Sequence, residues 1–343
     1  MRKVNLAIIG LGHWGPNFVR IFSQMPEVNL KGICDIDENK LRQIKDTYKY
    51  NKLKTSADFR GILDDNELDA VVISTPASTH YKIAKEALER NKHILVEKPL
   101  ALKIEDAKEL ISLSKRHKKI LMVGHTFLYN PAVRKIKEII ERNELGKIYY
   151  IHCRRTNLGP IRKDVNAIWD LAPHDISIIN YLLEENPEVV SAYAQRFLAH
   201  KLEDVGFIIL RYPKNILAHI HVSWLDPKKI REFTIIGSEK MLIYDDANLA
   251  EPIRIYDKGV MKTKYDKQYR SFREFQLIIR NGAITTPRIE IQEPLKAECQ
   301  HFLDCVLNGR RPLSDGENSL GVLNILTAIK SSISRKGNFI KIR

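Results

Sequence analysis

The sequence predicts an α/β protein in two parts: a doubly wound parallel sheet over residues 1–124, then an α+β domain over 125–343 built on a large, open, mostly antiparallel sheet. Three observations lead there. Through the first third, apolar runs of strand length alternate with amphipathic stretches of helix length, the pattern of parallel β-α-β units. Between residues 189 and 244, strand-like runs follow one another without helices between them, which suits antiparallel pairing. A length of 343 residues is ordinary for two domains.

Each element has its own signal. Val4–Ile9 is an apolar run that stops at Gly10, and Asn17–Gln24 then places Phe18, Ile21, Phe22 and Met25 at helical spacing. Leu30–Cys34 reads as a strand ending at Asp35, followed by a helix over Glu38–Lys49 and a connecting segment through Ile62–Leu63. Asp69–Ser74 is the clearest buried strand. Thr79 caps a helix through Arg90, His93–Val96 is a strand, Ile104–His117 a helix and Ile120–Val123 a strand ending at Gly124. The second part begins with a helix over Pro131–Asn143 and a strand over Lys147–Arg154. A loop over 156–168 leads to a helix from about Pro173 to Leu183. The strands Val189–Gln195, Val205–Leu210, Ile216–Trp224, Glu232–Gly237 and Lys240–Tyr244 come next, and helices over Leu295–Leu307 and Leu320–Ser334 close the chain.

Composition narrows the function classes. With 44% hydrophobic and 29% charged residues, the chain is neither a disordered tail nor a collagen-like repeat. Cys34, Cys153, Cys299 and Cys305 form no CxxC pair and read as reduced, mostly buried thiols. The apolar run near the N-terminus is too short for a membrane span and ends in a glycine loop rather than a cleavage site, so a cytoplasmic protein without membrane contact is expected. The net charge of +14 is spread evenly, with 22 Lys+Arg against 16 Asp+Glu before residue 125 and 34 against 26 after it. The densest run, Lys115–Lys119, ends a helix, where cations complement the dipole. A nucleic-acid stripe would gather the charge on one face, so no nucleic-acid partner is expected, whereas anionic small molecules remain compatible.

The strongest motif is Gly10-Leu11-Gly12-His13-Trp14-Gly15, a GxGxxG between a strand and a helix. Gly10 permits the tight turn, Gly12 lets backbone approach a pyrophosphate, and Gly15 allows close packing of helix on strand. Free N–H groups at the helix N-terminus favour phosphate. Asp35 lies 20 residues after Gly15 at a strand end, where an acid hydrogen-bonds the adenosine ribose and repels a 2′-phosphate. NAD is therefore the expected cofactor. Asp37 can share or take the ribose role. Thr75 and Pro76, after the Asp69–Ser74 strand, neighbour the cofactor or simply make a turn, and His80 by itself reads as a surface residue.

Two charged constellations remain open. Glu97-Lys98-Pro99 follows a strand and is either a surface turn or the place where a lysine exchanges protons with a substrate hydroxyl. Asp170 and His174 share one face of a helical turn and form either a general-base pair or a helix cap with a structural histidine. His219 and His221 alternate on one strand with no third ligand, so no metal site is expected.

Together these motifs resemble the Gfo/Idh/MocA family of oxidoreductases. The resemblance runs along the whole chain, through AIIGLGHWG (7–15), STPASTHYKIAKEAL (74–88), VEKPLA (96–101), VGHTFLYNPAV (123–133), ELGKI (144–148) and WDLAPHDISII (169–179). It implies a Rossmann domain, an open-faced sheet domain used for oligomer contacts, and NAD(P)-dependent oxidation of a sugar hydroxyl. It makes Lys98 and His174 the catalytic candidates, with Asp170 as orienting partner, and implies a cis Lys98–Pro99 bond. His13, Trp14, His80, Glu97 and Lys98 join Gly10, Gly12, Gly15, Asp35, Thr75 and Pro76 as implied cofactor contacts.

Within the family the chain is similar to enzymes that oxidise UDP-N-acetylglucosamine at C3 or oxidise its uronic acid. That similarity implies a UDP-sugar substrate approached by Lys98, Tyr129, Asn130, Arg155, Arg162, Lys163, Asp170 and His174. The basic residues fit a diphosphate on charge grounds or are solvated loop charges. A dehydrogenase of a free polyol or sugar, NAD-dependent glycoside cleavage and a catalytically silent NAD-binding regulator are the alternatives. A dimer or tetramer is expected, because an uncovered apolar sheet face needs a partner.

Overall fold

The computed structural model describes residues 2–48, 53–159, 161–162, 165–198, 201–260 and 279–342. They form two compact units, Met1–Asn130 with Gln292–Leu323, and Pro131–Ile291 with Asn324–Arg343. The units therefore do not follow a single cut at residue 124.

In the first unit β1 (Val4–Ile9), β2 (Val28–Cys34), β3 (Lys54–Ser56), β4 (Ala70–Ile73), β5 (His93–Glu97) and β6 (Leu121–Gly124) pair in the order β3-β2-β1-β4-β5-β6. Every pairing is parallel. Strands buried on both faces need continuous apolar runs, and all four residues of β4 are buried. The connecting helices are α1 (Gly15–Ser23), α2 (Glu38–Tyr48), α3 (Phe59–Leu63), α4 (Ala77–Glu89) and α5 (Ile104–His117). The sequence reading passes over β3 and α3; both are short, and α3 starts where the Asp58 side chain accepts from the Arg60 N–H. The chain leaves β1 toward β2 and later returns to β1's other side as β4. This reversal is the switch point at which doubly wound sheets open a crevice beyond their carboxyl ends.

The second unit opens with α6 (Pro131–Glu141), β7 (Ile148–Leu158) and α7 (Ala167–Leu183). β8 (Val189–Gln195), β9 (Val205–Tyr212), β10 (Ile216–Ser223), β11 (Leu225–Gly237), β12 (Met241–Asp245), β13 (Ile253–Val260) and β14 (Ile279–Thr285) follow. They join in a nine-stranded sheet that is antiparallel except where β10 runs beside β7. α7 packs on β7, β9 and β10 and buries Ile208, Leu210, Ile220 and Val222. The alternate residues Tyr150, Phe207, Ile209 and Leu217 stay exposed. α7 begins at Ala167, not near Pro173, because Asn166 caps it by accepting from the Trp169 N–H and the helix carries Pro173 in its interior.

Three elements complete the chain: α8 (Pro294–Asn308), α9 (Gly316–Ser334) and β15 (Ile340–Lys341), which pairs with β8 at the edge of the large sheet. α8 packs against α1, β1 and the short 3-10 turn Thr126–Tyr129 in the first unit. Ser314 then binds Val123 twice, its carbonyl accepting from the Val123 N–H at 2.8 Å and its Oγ donating to the Val123 carbonyl at 2.7 Å. All four cysteines are buried and unbridged. No helix of the described residues is long and apolar enough to cross a membrane.

Candidate functional site

The glycine loop is built by steric exclusion. A Cβ at Gly10, where φ is +95°, would lie 2.7 Å from the backbone of Ser74 and Thr75, and one at Gly15 would lie 2.2 Å from the Gly10 carbonyl oxygen. Gly10 and Gly15 therefore serve the close approach of β1, β4 and α1. At Gly12 an added Cβ would meet nothing within 4 Å, so its bare backbone faces open space beside the N-terminus of α1. No side chain caps that terminus. This combination fits a dinucleotide pyrophosphate, the group for which a Cβ-free approach and unspent N–H donors are needed. His13 and Trp14 are exposed at the loop tip and meet edge to face, with ring centroids 5.5 Å apart.

Asp35 is buried, and both its oxygens bind protein: Oδ2 accepts from the Leu11 N–H at 2.6 Å and Oδ1 from the Asp37 N–H at 2.9 Å. It holds the glycine loop against the end of β2. Asp37 is more open to solvent, and its Oδ1 accepts from the Asn39 N–H at 3.0 Å.

Thr75 and Pro76 lie in the turn after β4, half-buried and exposed respectively. His80 corrects the surface reading. It is 1% exposed, and both ring nitrogens face backbone carbonyls, Pro99 at 2.7 Å and Thr75 at 2.8 Å, which leaves neither for a cofactor.

Lys98 stands just past β5, half-buried, with a cis bond to Pro99. Burial pushes the Glu97 carboxyl up to about 7, against the pull of the neighbouring Lys98 charge. His125 is pushed down to about 4, first by burial and then by Lys98. Sequence reasoning singled out neither His125 nor a fourth member of this group, Glu298 on α8. It is fully buried, accepts from Thr126 Oγ1 at 2.9 Å through Oε2, and has no hydrogen-bond partner for Oε1 among the described residues. Burial and the Glu97 charge raise its carboxyl well above the usual range. A signal was present: a glutamate at 298 falls in line with Leu295, Cys299 and Phe302, the apolar stripe of that helix. Tyr129 is also buried, its hydroxyl 2.9 Å from Ser314 Oγ, so its ring packs in the interior rather than bordering a cleft. Asn130, half-buried, ends the 3-10 turn.

In the second unit Asp170 and His174 lie one turn apart on α7. Asp170 Oδ1 accepts from Arg162 at 3.1 Å, and Oδ2 accepts from the Trp224 indole at 3.4 Å. Arg162 is 41% exposed and presents a cation beside this turn. Arg155 departs from expectation. It is 3% exposed, and its Nε and Nη2 donate to Asp175 Oδ1 at 2.8 and 2.7 Å, so its charge is spent inside the unit instead of on a substrate diphosphate. Lys163 lies outside the described residues. Among the described residues no cluster of three metal-ligating side chains occurs, and His219 instead stacks on His152 with centroids 5.0 Å apart.

A doubly wound sheet with an open glycine loop, joined in one chain to an open-sheet domain, defines an NAD-binding Rossmann protein of two-domain type. Residues 4–125 match "Oxidoreductase family, NAD-binding Rossmann fold", and residues 133–243 match "GFO/IDH/MocA C-terminal domain". The chain belongs to the Gfo/Idh/MocA family.

Among its relatives, the "Uncharacterized oxidoreductase YrbE" of Bacillus subtilis is 29% identical over 57% of each chain, so the match spans little more than half of YrbE. The "Myo-inositol 2-dehydrogenase" of Thermotoga maritima is 25% identical over 97% of each. By fold, UDP-N-acetylglucosamine 3-dehydrogenase GnnA from Acidithiobacillus ferrooxidans superposes with a TM-score of 0.82 at 21% identity, covering 98% of this chain and 99% of the other.

Proposed function

We propose that the chain is an NAD-dependent dehydrogenase of a sugar-like secondary alcohol, with a UDP-N-acetylhexosamine or its uronic acid, oxidised at C3, as substrate. The observation that carries the oxidoreductase reading is Lys98 at the carboxyl end of β5, in the same unit as the open backbone at Gly12. When bound, NAD⁺ supplies the hydride acceptor. The Gly12 backbone and the start of α1 hold the pyrophosphate, and Asp37, supported by Asp35, takes the ribose. Lys98 donates to the reacting hydroxyl and fixes it. His174 removes the hydroxyl proton at an imidazole nitrogen, and Asp170 orients it. Arg162 supports the nucleotide-sugar reading, since an exposed guanidinium beside this turn suits a diphosphate.

A second reading, a free inositol or related polyol, is favoured by the myo-inositol 2-dehydrogenase that matches along 97% of its own length. We extend the proposal to a homo-oligomer through the sheet face that exposes Tyr150, Phe207, Ile209 and Leu217; light scattering that finds only monomer at working concentration would remove this part.

The test of substrate is a single-turnover absorbance scan at 340 nm with NAD⁺-saturated enzyme. UDP-N-acetylglucosamine, its uronic acid, myo-inositol and glucose are mixed in turn. A rise with a UDP-sugar alone is expected. A rise with myo-inositol alone selects the second reading, and no rise with any of them defeats both.

A further inference from the structure

The turns that end β1, β4 and β5 are linked by two side chains. Ser74 Oγ donates to the Gly10 carbonyl at 2.7 Å, joining the turn after β4 to the glycine loop. His80, in the first turn of α4, spans from the Thr75 carbonyl to the Pro99 carbonyl. Both of its partners accept only. A neutral imidazole has a single N–H and satisfies one of them; satisfying both takes the imidazolium.

We propose that His80 is a positioning residue that ties the Thr75–Pro76 turn to the Lys98–Pro99 turn, and that the tie is complete only when both ring nitrogens carry protons. The proposal deepens the reading of Lys98 as the residue that meets the substrate hydroxyl. Through Ser74 and His80 the glycine loop, the turn after β4 and the Pro99–Leu100 peptide, one residue past Lys98, form one connected strap, so a displacement of any part moves the lysine relative to the cofactor loop.

The forces on the ring are few. Burial lowers its proton affinity, and the two carbonyls raise it. Of the charged groups on the helices packed against α4, Arg60 of α3 is bound to Glu86, and Glu109 of α5 to Lys85 and Tyr81. Glu97 and Lys98 stand at the end of β5, next to Pro99. With burial prevailing, the second N–H is lost on raising the pH through a value below the ordinary 6.5. One of the two contacts then loses its hydrogen.

The test combines His80→Ala and His80→Gln with histidine-resolved NMR of the full chain. A glutamine amide carries two N–H groups on one nitrogen and donates without titrating. Expected for His80→Ala is a fall in kcat of about tenfold or more at unchanged NAD⁺ affinity, the usual consequence of misplacing a reacting group. His80→Gln is expected to restore most of kcat and to delete the His80 step from the pH profile. In the unmodified chain, the Lys98 and Leu100 amide resonances should shift with the same midpoint as the His80 ring. The NMR arm needs no substrate, so it decides on His80 even if the assigned reaction is wrong. Amides of Lys98 and Leu100 that ignore the His80 titration, a folded His80→Ala with unaltered kcat, or a folded His80→Gln no better than His80→Ala would each overturn the proposal.

Discussion

Replacing Arg155 with methionine separates two roles for this residue. In the structure its guanidinium is the partner of Asp175, with two N–H groups on one carboxylate oxygen and both side chains nearly sealed from water. The other oxygen, Oδ2, has no hydrogen-bond partner among the described residues. Removing the guanidinium therefore leaves a buried carboxylate without its ion-pair partner and its N–H donors, with only the weaker pull of Arg231 on its charge. Breaking a buried pair in this way costs about 3–5 kcal/mol. At roughly 2–4 °C per kcal/mol for a unit of this size, the loss of Tm should be about 6–20 °C.

The pH dependence has a fixed sign. Burial already raises the Asp175 carboxyl against the opposing pull of Arg155, and without Arg155 it rises further. A folded-state value above the unfolded one means the folded chain binds more protons. Stability then falls as pH rises from about 4 toward the elevated folded value. Arg155→Met should thus be closer to wild type at pH 5 than at pH 8 in urea unfolding. An Arg155→Met/Asp175→Leu double variant should recover most of the loss. Were Arg155 instead a substrate ligand, Arg155→Met would keep its Tm and raise KM for the diphosphate substrate. That result would refute the assignment.

Three further outcomes follow from the same structure. Lys98→Ala should bind NAD⁺ almost normally while turnover drops about 10²–10⁴-fold, and single-turnover absorbance at 340 nm checks this. His93 and His125 are both held down to about 4, chiefly by burial, so the unfolded chain takes up protons first. Stability should be full above about pH 6.5 and decline as pH falls toward 4, measured by thermal melts, with the decline reduced in His125→Gln. Glu298 is raised well above the carboxylate range, so it weakens the fold as pH rises; Glu298→Gln should match wild type in acid and exceed it at pH 9 in chemical denaturation.

Much of the first unit was legible because its signals are local. A glycine loop between a strand and a helix, an acid at the end of β2 and the apolar run of β4 all lie within a few residues of the features they determine. What escaped was set by boundaries and by distance. Ending the β7 strand at Arg154 placed Arg155 in a loop, whereas the strand continues to Leu158. Period-two alternation then puts Arg155 on the buried face with Ile151 and Cys153. Pro173 read as a helix start because proline suits a first turn, but the Asn166 cap starts α7 six residues earlier. β13, β14 and β15 went unread, β15 being only two residues long. The amphipathic stripe of α8 showed that one face would be buried but not against which partner, since no local pattern encodes a contact with residues 273 positions away, such as the Arg20–Glu293 ion pair at the start of that helix.

The return of residues 292–323 to the first unit bears on how the protein is made. A ribosome delivers β1 to β6 early, yet the groups that Thr126, Tyr129 and Val123 bind, at Glu298 and Ser314, emerge near the end of synthesis. The nascent Rossmann sheet must wait, with the end of β6 and the face of α1 uncovered, while more than half of the chain is translated. A fragment cut after residue 130 inherits that unfinished state permanently. A genetic fusion of 1–130 to 292–323 through a short linker is the smaller piece that this structure would close.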